Sequence, residues 1–372
     1  MRSIRILQVV GGMNQGGTEN WLLEMLRRVD PSGIKMDFLV HGDGPQDHEA
    51  AVISLGSRLL RCPDPSRIRD YTASLRSILS ACEPYDIVHS HIAFFSGFVL
   101  RLAHESRVPV RIAHAHGHCL LAWDPLLVCR HLAMRELIRR HATLGLAASP
   151  GAGEAFFGKR QRPPWRVLRC GIELSPFSQR WGPAEVRREF GLPVGAMVVG
   201  HVGRFDPVKN HRFLLKVVRE IVGQGHDCWC LFVGDGPYRP AIEQMVRDSG
   251  ISDRVILTGS RHDVARILLG AVDVMVIPSV FEGGPLAAVE AQAAGKPCVI
   301  SEGCVGEIVI VDDLVRRLSL RQSPKVWADA VIRMHTGRLP SAGESFDAVR
   351  ASSFNVTVAA QELERAYLDA VA

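Results

Sequence analysis

The chain has 372 residues, 47% of them hydrophobic, with 44 Lys+Arg against 39 Asp+Glu and a formal net charge of +5. That length suits two cores of roughly 180 residues each better than one, and the composition excludes a disordered chain. Aromatic residues are 6% of the chain and do not interleave with basic ones, which excludes a base-stacking nucleic-acid surface.

Charge is uneven along the chain. Residues 1–176 hold 22 Lys+Arg and 16 Asp+Glu, and the remainder 22 and 23, so the basic surface falls on the first half. The start MRSIRILQVV enters a buried-strand pattern without an apolar leader, and no apolar run reaches about 18 residues. The expectation is a cytoplasmic protein, at most peripheral at the inner face of a membrane. Nine cysteines form no Cys-x-x-Cys pair, and Cys228 and Cys230 alternate along a hydrophobic strand, so all are read as reduced thiols.

In chain order, short apolar runs at Ile4 to Val10, Ile87 to His89, Val110 to Ala113, Leu144 to Ala148 and Val167 to Leu168 predict strands. Helix-length amphipathic segments separate them, which implies a parallel sheet with crossover helices. After the first strand, Leu22, Met25, Leu26 and Val29 recur at i, i+3, i+4 and i+7, the stripe of a helix packed on the sheet. Between Gly171 and Pro193 the pattern lapses into Pro and Gly. It restarts at Met197 to Gly203 and continues at Trp229 to Val233, Val255 to Thr258, Val272 to Ile277 and Cys298 to Ser301. Two Rossmann-like domains follow, residues 1–176 and 177–372, with the last helix, about 355–372, returning to the first.

Ligands of open parallel sheets bind beyond the carboxyl ends of the strands, so the loops there are the places to search. The first, Gly11-Gly12-Met13-Asn14-Gln15-Gly16-Gly17-Thr18-Glu19, is glycine-rich. It lacks the Lys of a P-loop and the spacing of a dinucleotide fingerprint. His114, His116 and His118 alternate at the end of a later strand, as His89 and His91 do nearby. Alternate histidines share a face, so metal binding competes with a structural role and a ligand-contacting one, although no acidic or cysteine ligand accompanies them. The segment Leu126 to His141 mixes Arg130, His131, Arg135, Arg139 and Arg140 with apolar residues; it fits either a helix lying on an anionic bilayer or a packed crossover helix with a basic edge.

In the second half, Arg204 and Lys209 lie just past a strand end, a position suited to a diphosphate. After the strand ending at Ile277 comes Pro278-Ser279-Val280-Phe281-Glu282-Gly283-Gly284-Pro285-Leu286. Pro285 fits a first helical position and Gly295 a C-terminal cap, giving a helix of about ten residues. Gly283 and Gly284 open the approach, and the free amides near Leu286 and Ala287 form an anion site at the helix start. Glu282 precedes this site. Glu290 lies more than a turn beyond it, placed to accept from a ribose diol.

The stretch EGGPLAAVEAQAAGKPCVIS, with Glu282 and Glu290 eight apart, resembles the signature of retaining glycosyltransferase family 4, and the likeness covers nearly the whole chain. Gly203 to Asn210 resembles the family's Arg-x4-Lys loop, and Gly234-Asp235-Gly236-Pro237 resembles its next strand-end turn. The resemblance implies the GT-B fold, an α/β architecture of two Rossmann-like domains whose parallel sheets face across a cleft. It also implies that Arg204 and Lys209 grip the donor diphosphate, that Glu282 holds sugar hydroxyls and Glu290 the ribose, and that Gly16 and Gly17 close over phosphate and acceptor. His116 corresponds to a family histidine that contacts the donor sugar or orients the acceptor. The loop Thr258 to Val264 packs on the nucleobase, where Arg261 or His262 contributes a side chain.

These implications amount to a metal-independent, retaining transferase. It uses a nucleotide-diphosphate sugar, UDP-sugar first and GDP-mannose next, and a glycan or polyprenyl-linked acceptor of bacterial polysaccharide biosynthesis. The sugar nucleotide is a co-substrate and no cofactor is expected, in keeping with the absence of an Asp-x-Asp motif. After Ser301 the chain is shorter than in many relatives and closer to the capsular or exopolysaccharide branch. A nucleotide-sugar 2-epimerase of the same architecture and a non-catalytic nucleotide-sugar-binding protein are the alternatives.

Overall fold

The computed structural model describes residues 3–14, 16–80, 83–117, 125–158, 162–304 and 306–372. The strands β1 (Ile4–Val9), β2 (Ile34–His41), β3 (Leu59–Cys62), β4 (Ile87–Ser90), β5 (Val110–Ala115), β6 (Leu144–Ala147) and β7 (Trp165–Val167) form one sheet. Its order is β3-β2-β1-β4-β5-β6-β7, and every pairing is parallel. A second parallel sheet has the order β10-β9-β8-β11-β12-β13. Its strands are β8 (Met197–Val202), β9 (Cys228–Val233), β10 (Val255–Leu257), β11 (Val274–Ile277), β12 (Cys298–Ser301) and β13 (Val315–Leu318).

The expected α/β class holds, but the strand list falls short. The run Ile34 to His41 mixes Lys35 and Asp37 into an apolar series: Lys35 is exposed, and Asp37 accepts from Arg58 and Tyr85. β3 and β13 are edge strands of four residues each, and Arg316 and Arg317 of β13 are exposed. Such strands satisfy their polar faces in solvent and leave little apolar alternation to find.

The chain divides into two compact units, one of Met1–Gly171 with Val356–Ala372, the other of Ile172–Asn355. The change comes at Ile172, five residues before the expected boundary. Ile172 donates its amide to Phe354 O at 2.8 Å, pairs with Asn355, and is buried with Leu174 and Phe177 in the second unit's core. The helix Val356–Val371 belongs to the first unit. Its Val356, Ala359, Ala360, Leu363 and Tyr367 recur at helical spacing and pack with Trp21, Leu22 and Met25 of the helix Gly17–Arg28.

Both sheets are covered on two faces, so most of their residues are buried. In each sheet the order reverses beside the first strand, between β1 and β4 and between β8 and β11. At such a switch the two following loops diverge to opposite faces and leave a crevice at the carboxyl ends.

The helix Pro125–His141 forms as expected and packs on the helix Ser96–Glu105, so closely that a side chain at Gly97 would meet Met134 O at 2.2 Å. Ile138 is buried there, Glu136 pairs with Arg139 and Arg140, and Leu132 is the exposed large apolar residue among those described. Packing against protein takes up part of the apolar stripe, and no described helix is long and apolar enough to cross a membrane.

Asp273, just before β11, ties the second unit together. Its two oxygens each lie 2.7 Å from Arg187 of the helix Pro183–Glu189, and it accepts the Val198 amide of β8 at 2.8 Å. Removing the carboxylate strands a largely buried guanidinium and an amide. Asp273→Ala is expected to cost about 2–3 kcal/mol of second-unit stability, read as a lower urea midpoint at unchanged slope.

Candidate functional site

The switch of the second sheet brings two loops together. Following β8, Asp206 accepts the Val208 amide at 3.0 Å and caps the short turn Pro207–Lys209. Asn210 then takes a left-handed conformation at φ +57° and donates its side-chain amide to Pro278 O at 3.2 Å. Val280 N donates to Val208 O at 2.8 Å, which locks the loop after β11 onto the loop after β8.

This locking sets the main ion pair. Lys209 Nζ lies 2.7 Å from Glu282 Oε2, and the two side chains are only 18% and 12% exposed. Glu282 Oε1 accepts a short hydrogen bond from Ser279 Oγ, and the Glu282 amide donates to Gly303 O at 3.0 Å. The carboxylate is thus fixed at both oxygens and at its backbone. Arg204 is exposed and has no hydrogen bond or ion pair among the described residues. It is a free cation on the loop whose lysine is already paired.

Gly284 sits at φ +152°, where a side chain would strain the backbone, and leads into the helix Leu286–Ala293. Pro285 occupies the N-cap rather than the first helical position, so it supplies no side-chain cap. The helix is eight residues long, shorter than expected, because it ends at the C-cap Ala294, with Gly295 one position beyond at φ +66°. The amides of Gly283, Gly284, Leu286 and Ala287 donate to no described group, while Ala288 N bonds back to Pro285 O. These amides with the helix dipole favour an anion.

Glu290 lies one turn further along. Its side chain has no hydrogen-bond or ionic partner among the described residues, and enclosure by protein raises its pKa to about 7 although part of the residue remains exposed. Its neighbour Gln292 is fully buried and pins the helix: it donates to Ala288 O and Ile308 O and accepts from the amides of Ile310 and Val311.

Arg261 follows β10 and makes its own set of contacts. Its guanidinium pairs with Asp263 and Glu189 at 2.8 Å and covers the Phe190 ring. Arg261 is therefore committed to holding its own loop, and His262 beside it is exposed. The turn after β9 is close-packed: a side chain at Gly234 would meet Gly203 O at 2.0 Å, which brings the β8 and β9 strand ends into contact.

In the first unit, Gly16 is the N-cap of the helix Gly17–Arg28, in extended conformation without a side-chain cap. The loop before it is braced from β2's far end, where Gln46 accepts the Met13 amide at 2.6 Å and His48 N donates to Met13 O. Gln15 and His118 lie outside the described residues.

His116 lies inside a cluster of four histidines. Its Nε2 is 2.7 Å from His91 Nδ1, its Nδ1 is 3.6 Å from Cys170 Sγ, and its ring stacks on His114 at 4.0 Å between centroids. Trp21 packs edge-on against His91, His114 and His116. Burial holds the His116 pKa down to about 3 and the pKa values of His89, His91 and His114 well below the ordinary value, so the cluster is neutral. One nitrogen from each of His89, His91 and His114 falls within 4.8 Å of the others, close enough to gather round a metal. Both His91 nitrogens, however, already face hydrogen-bond partners.

Family models match both halves: "Glycosyltransferase Family 4" over residues 15–175 and "Glycosyl transferases group 1" over residues 196–336. EpsF of Bacillus subtilis (strain 168), assigned by its name as a glycosyltransferase, is 34% identical over 337 residues, which are 88% of this chain and 87% of that protein. The chain belongs to glycosyltransferase family 4. An Escherichia coli relative, the UDP-Gal:alpha-D-GlcNAc-diphosphoundecaprenol alpha-1,3-galactosyltransferase, is 29% identical over 250 residues, 64% of each chain. Among solved structures, Anabaena Alr3699/HepE in complex with UDP superposes with a TM-score of 0.79 at 18% identity, covering 99% of this chain and 100% of that one. The fold is GT-B.

This family 4 chain keeps several site residues that its motifs did not announce. Ser279, Asn210 and Gln292 lie in or beside the recognised segments; Ser279 acts on Glu282 three residues on, whereas Asn210 and Gln292 act through contacts 68 and 16 to 19 residues away, made only in the folded chain. Gln8 is different: a fully buried glutamine in the apolar run of β1 is itself a signal that something polar must meet it.

The Glu290 pKa has a consequence for stability. A folded value near 7 against an ordinary 4.5 means that the folded chain binds the proton more tightly than the unfolded chain. The stabilisation is complete below about 4.5 and is lost as pH rises through about 7. Glu290→Gln removes this dependence, so its melting temperature relative to the native protein is expected to rise between about pH 5 and pH 8. A constant difference across that range would contradict the assignment.

Proposed function

We propose that this glycosyltransferase moves a sugar, with retention of configuration, from a nucleotide-diphosphate sugar to a hydroxyl of a glycan or polyprenyl-linked acceptor. The observation that carries the reading is the Lys209–Glu282 pair held beside an uncapped helix start, with Arg204 free on the same loop. Fixed cations and unpaired amides suit a leaving diphosphate, because they stabilise charge that develops in the transition state without reorganising. UDP is favoured by the Anabaena complex and by the donor in the Escherichia coli relative's name; that same name supports a lipid-linked acceptor.

In this mechanism Arg204, Lys209 and the amides of Leu286 and Ala287 take up negative charge as the bond from sugar to phosphate breaks. An oxocarbenium-like centre develops, and the acceptor hydroxyl attacks from the face that the phosphate leaves, giving its proton to the departing oxygen. Glu282 holds sugar hydroxyls and keeps Lys209 directed at the site. Glu290 accepts from the ribose. The charge supplied by side chains and helix start makes a divalent metal unnecessary.

Glu282→Ala and Lys209→Ala are each expected to lower turnover at saturating donor by at least about 100-fold, the scale for one preorganised electrostatic contact. Near-native rates in either variant would remove that residue from the mechanism. UDP-sugars should raise the melting temperature more than GDP- or ADP-sugars in a panel. With the best donor, product NMR should show the donor's anomeric configuration, and turnover should be unchanged by EDTA. Conversion of donor without acceptor would instead indicate epimerase chemistry.

A further inference from the structure

The four-histidine cluster contains a continuous hydrogen-bonded chain. Tyr367 Oη lies 2.7 Å from His89 Nδ1 and 2.8 Å from Gln8 Nε2; Gln8 Oε1 lies 2.8 Å from His91 Nε2; His91 Nδ1 lies 2.7 Å from His116 Nε2. Its members come from the returning helix Val356–Val371, from β1, from the end of β4 and from the end of β5. Gln8 and Tyr367 are fully buried. No carboxylate takes part in the chain, and the histidines are neutral, so each imidazole carries one proton and the placement of one proton dictates the next.

We propose that Gln8, held by Tyr367 and Met36, is a positioning residue that fixes His116 as a single tautomer, protonated at Nε2. The direction starts at the amide. Met36 Sδ lies 3.5 Å from one end of the Gln8 amide. A thioether only accepts, so that end is the NH₂ group, and it also donates to Tyr367. Tyr367, having accepted, donates its own proton to His89 Nδ1, which leaves the His89 proton on Nε2. The other end of the Gln8 amide is the carbonyl oxygen and must accept from His91 Nε2–H. His91 Nδ1 is then a lone pair, and it must accept from His116 Nε2–H. His116 is left with a lone pair on Nδ1, facing the Cys170 thiol at 3.6 Å.

A group that replaces the thiol at His116 Nδ1 has to bring its own proton. A hydroxyl satisfies that requirement and an ionised phosphate oxygen does not. The same wiring opposes metal binding by the cluster, since it places a proton on His89 Nε2 and engages both nitrogens of His91.

The test is long-range proton–nitrogen NMR on the full chain labelled with 15N-histidine, comparing the native protein with Gln8→Leu and Tyr367→Phe. The native His116 should show a protonated Nε2 and an unprotonated Nδ1 in a ratio of at least about ten, which one neutral hydrogen bond can sustain. Gln8→Leu should bring the ratio to near one. Tyr367→Phe, which keeps the ring, should lower it and remains informative if Gln8→Leu fails to fold. A native His116 protonated at Nδ1, or an unchanged ratio in a folded variant, would overturn the proposal. So would Co(II) uptake by the EDTA-treated native chain with a histidine-ligand absorption spectrum that is lost in His114→Ala.

Turnover gives a separate reading, and only this part rests on the proposed role of His116 toward the donor. A one-to-one mixture halves the competent tautomer and should lower kcat by about twofold. If the tautomer shifts and kcat does not, the relay stands and His116 is excluded from the reaction.

Discussion

Parallel pairing is the constraint from which the site follows. Within each sheet every strand points the same way, so each must be followed by a crossover before the next, and the loops after the strands emerge at one edge of that sheet. The reversal of order beside β1 and β8 then sets two loops side by side while sending their helices to opposite faces. In the second unit these are the loops carrying Lys209 and Glu282, 73 residues apart in sequence and 2.7 Å apart in space. No local propensity produces that pair; the sheet does.

Two glutamates eight positions apart show how strongly environment divides like residues. Glu282 is met at one oxygen by the Lys209 ammonium and at the other by the Ser279 hydroxyl. Glu290 is enclosed without a partner, and the loss of hydration raises its pKa to about 7. The first is completed by the protein itself. The side chain of the second has no partner among the described residues. In the first unit the histidines show a third condition: polar groups that satisfy mainly one another, at a cost visible in the unpartnered nitrogens of His114 and the Nε2 of His89.

Much of this was legible from the chain. Apolar runs bounded by glycine and proline located ten of the thirteen described strands, and the charge and glycine pattern around Arg204, Lys209 and Glu282 to Glu290 marked the loops that meet at the second sheet's switch. What escaped falls into two physical kinds. β2, β3 and β13 are diluted by charged residues whose partners are distant or solvent, so periodicity fails for them. The other kind is partnership. His91 and Cys170 meet His116, and Asp263 and Glu189 meet Arg261, partners that no spacing in the sequence announces. Residue type tells what a side chain can bind; only the fold tells what has already claimed it.

The helix Val356–Val371 gives the chain an unusual order of assembly. The second unit is one continuous segment and can close its core once residue 355 has been made. The first unit cannot: the surface formed by Trp21, Leu22 and Met25 is completed by residues synthesised more than 330 positions later. During translation the earlier half therefore waits, partly open, while the later half matures. Any nick or truncation near the carboxyl terminus would be felt first at the opposite end of the sequence, where Gln8 loses its tyrosine.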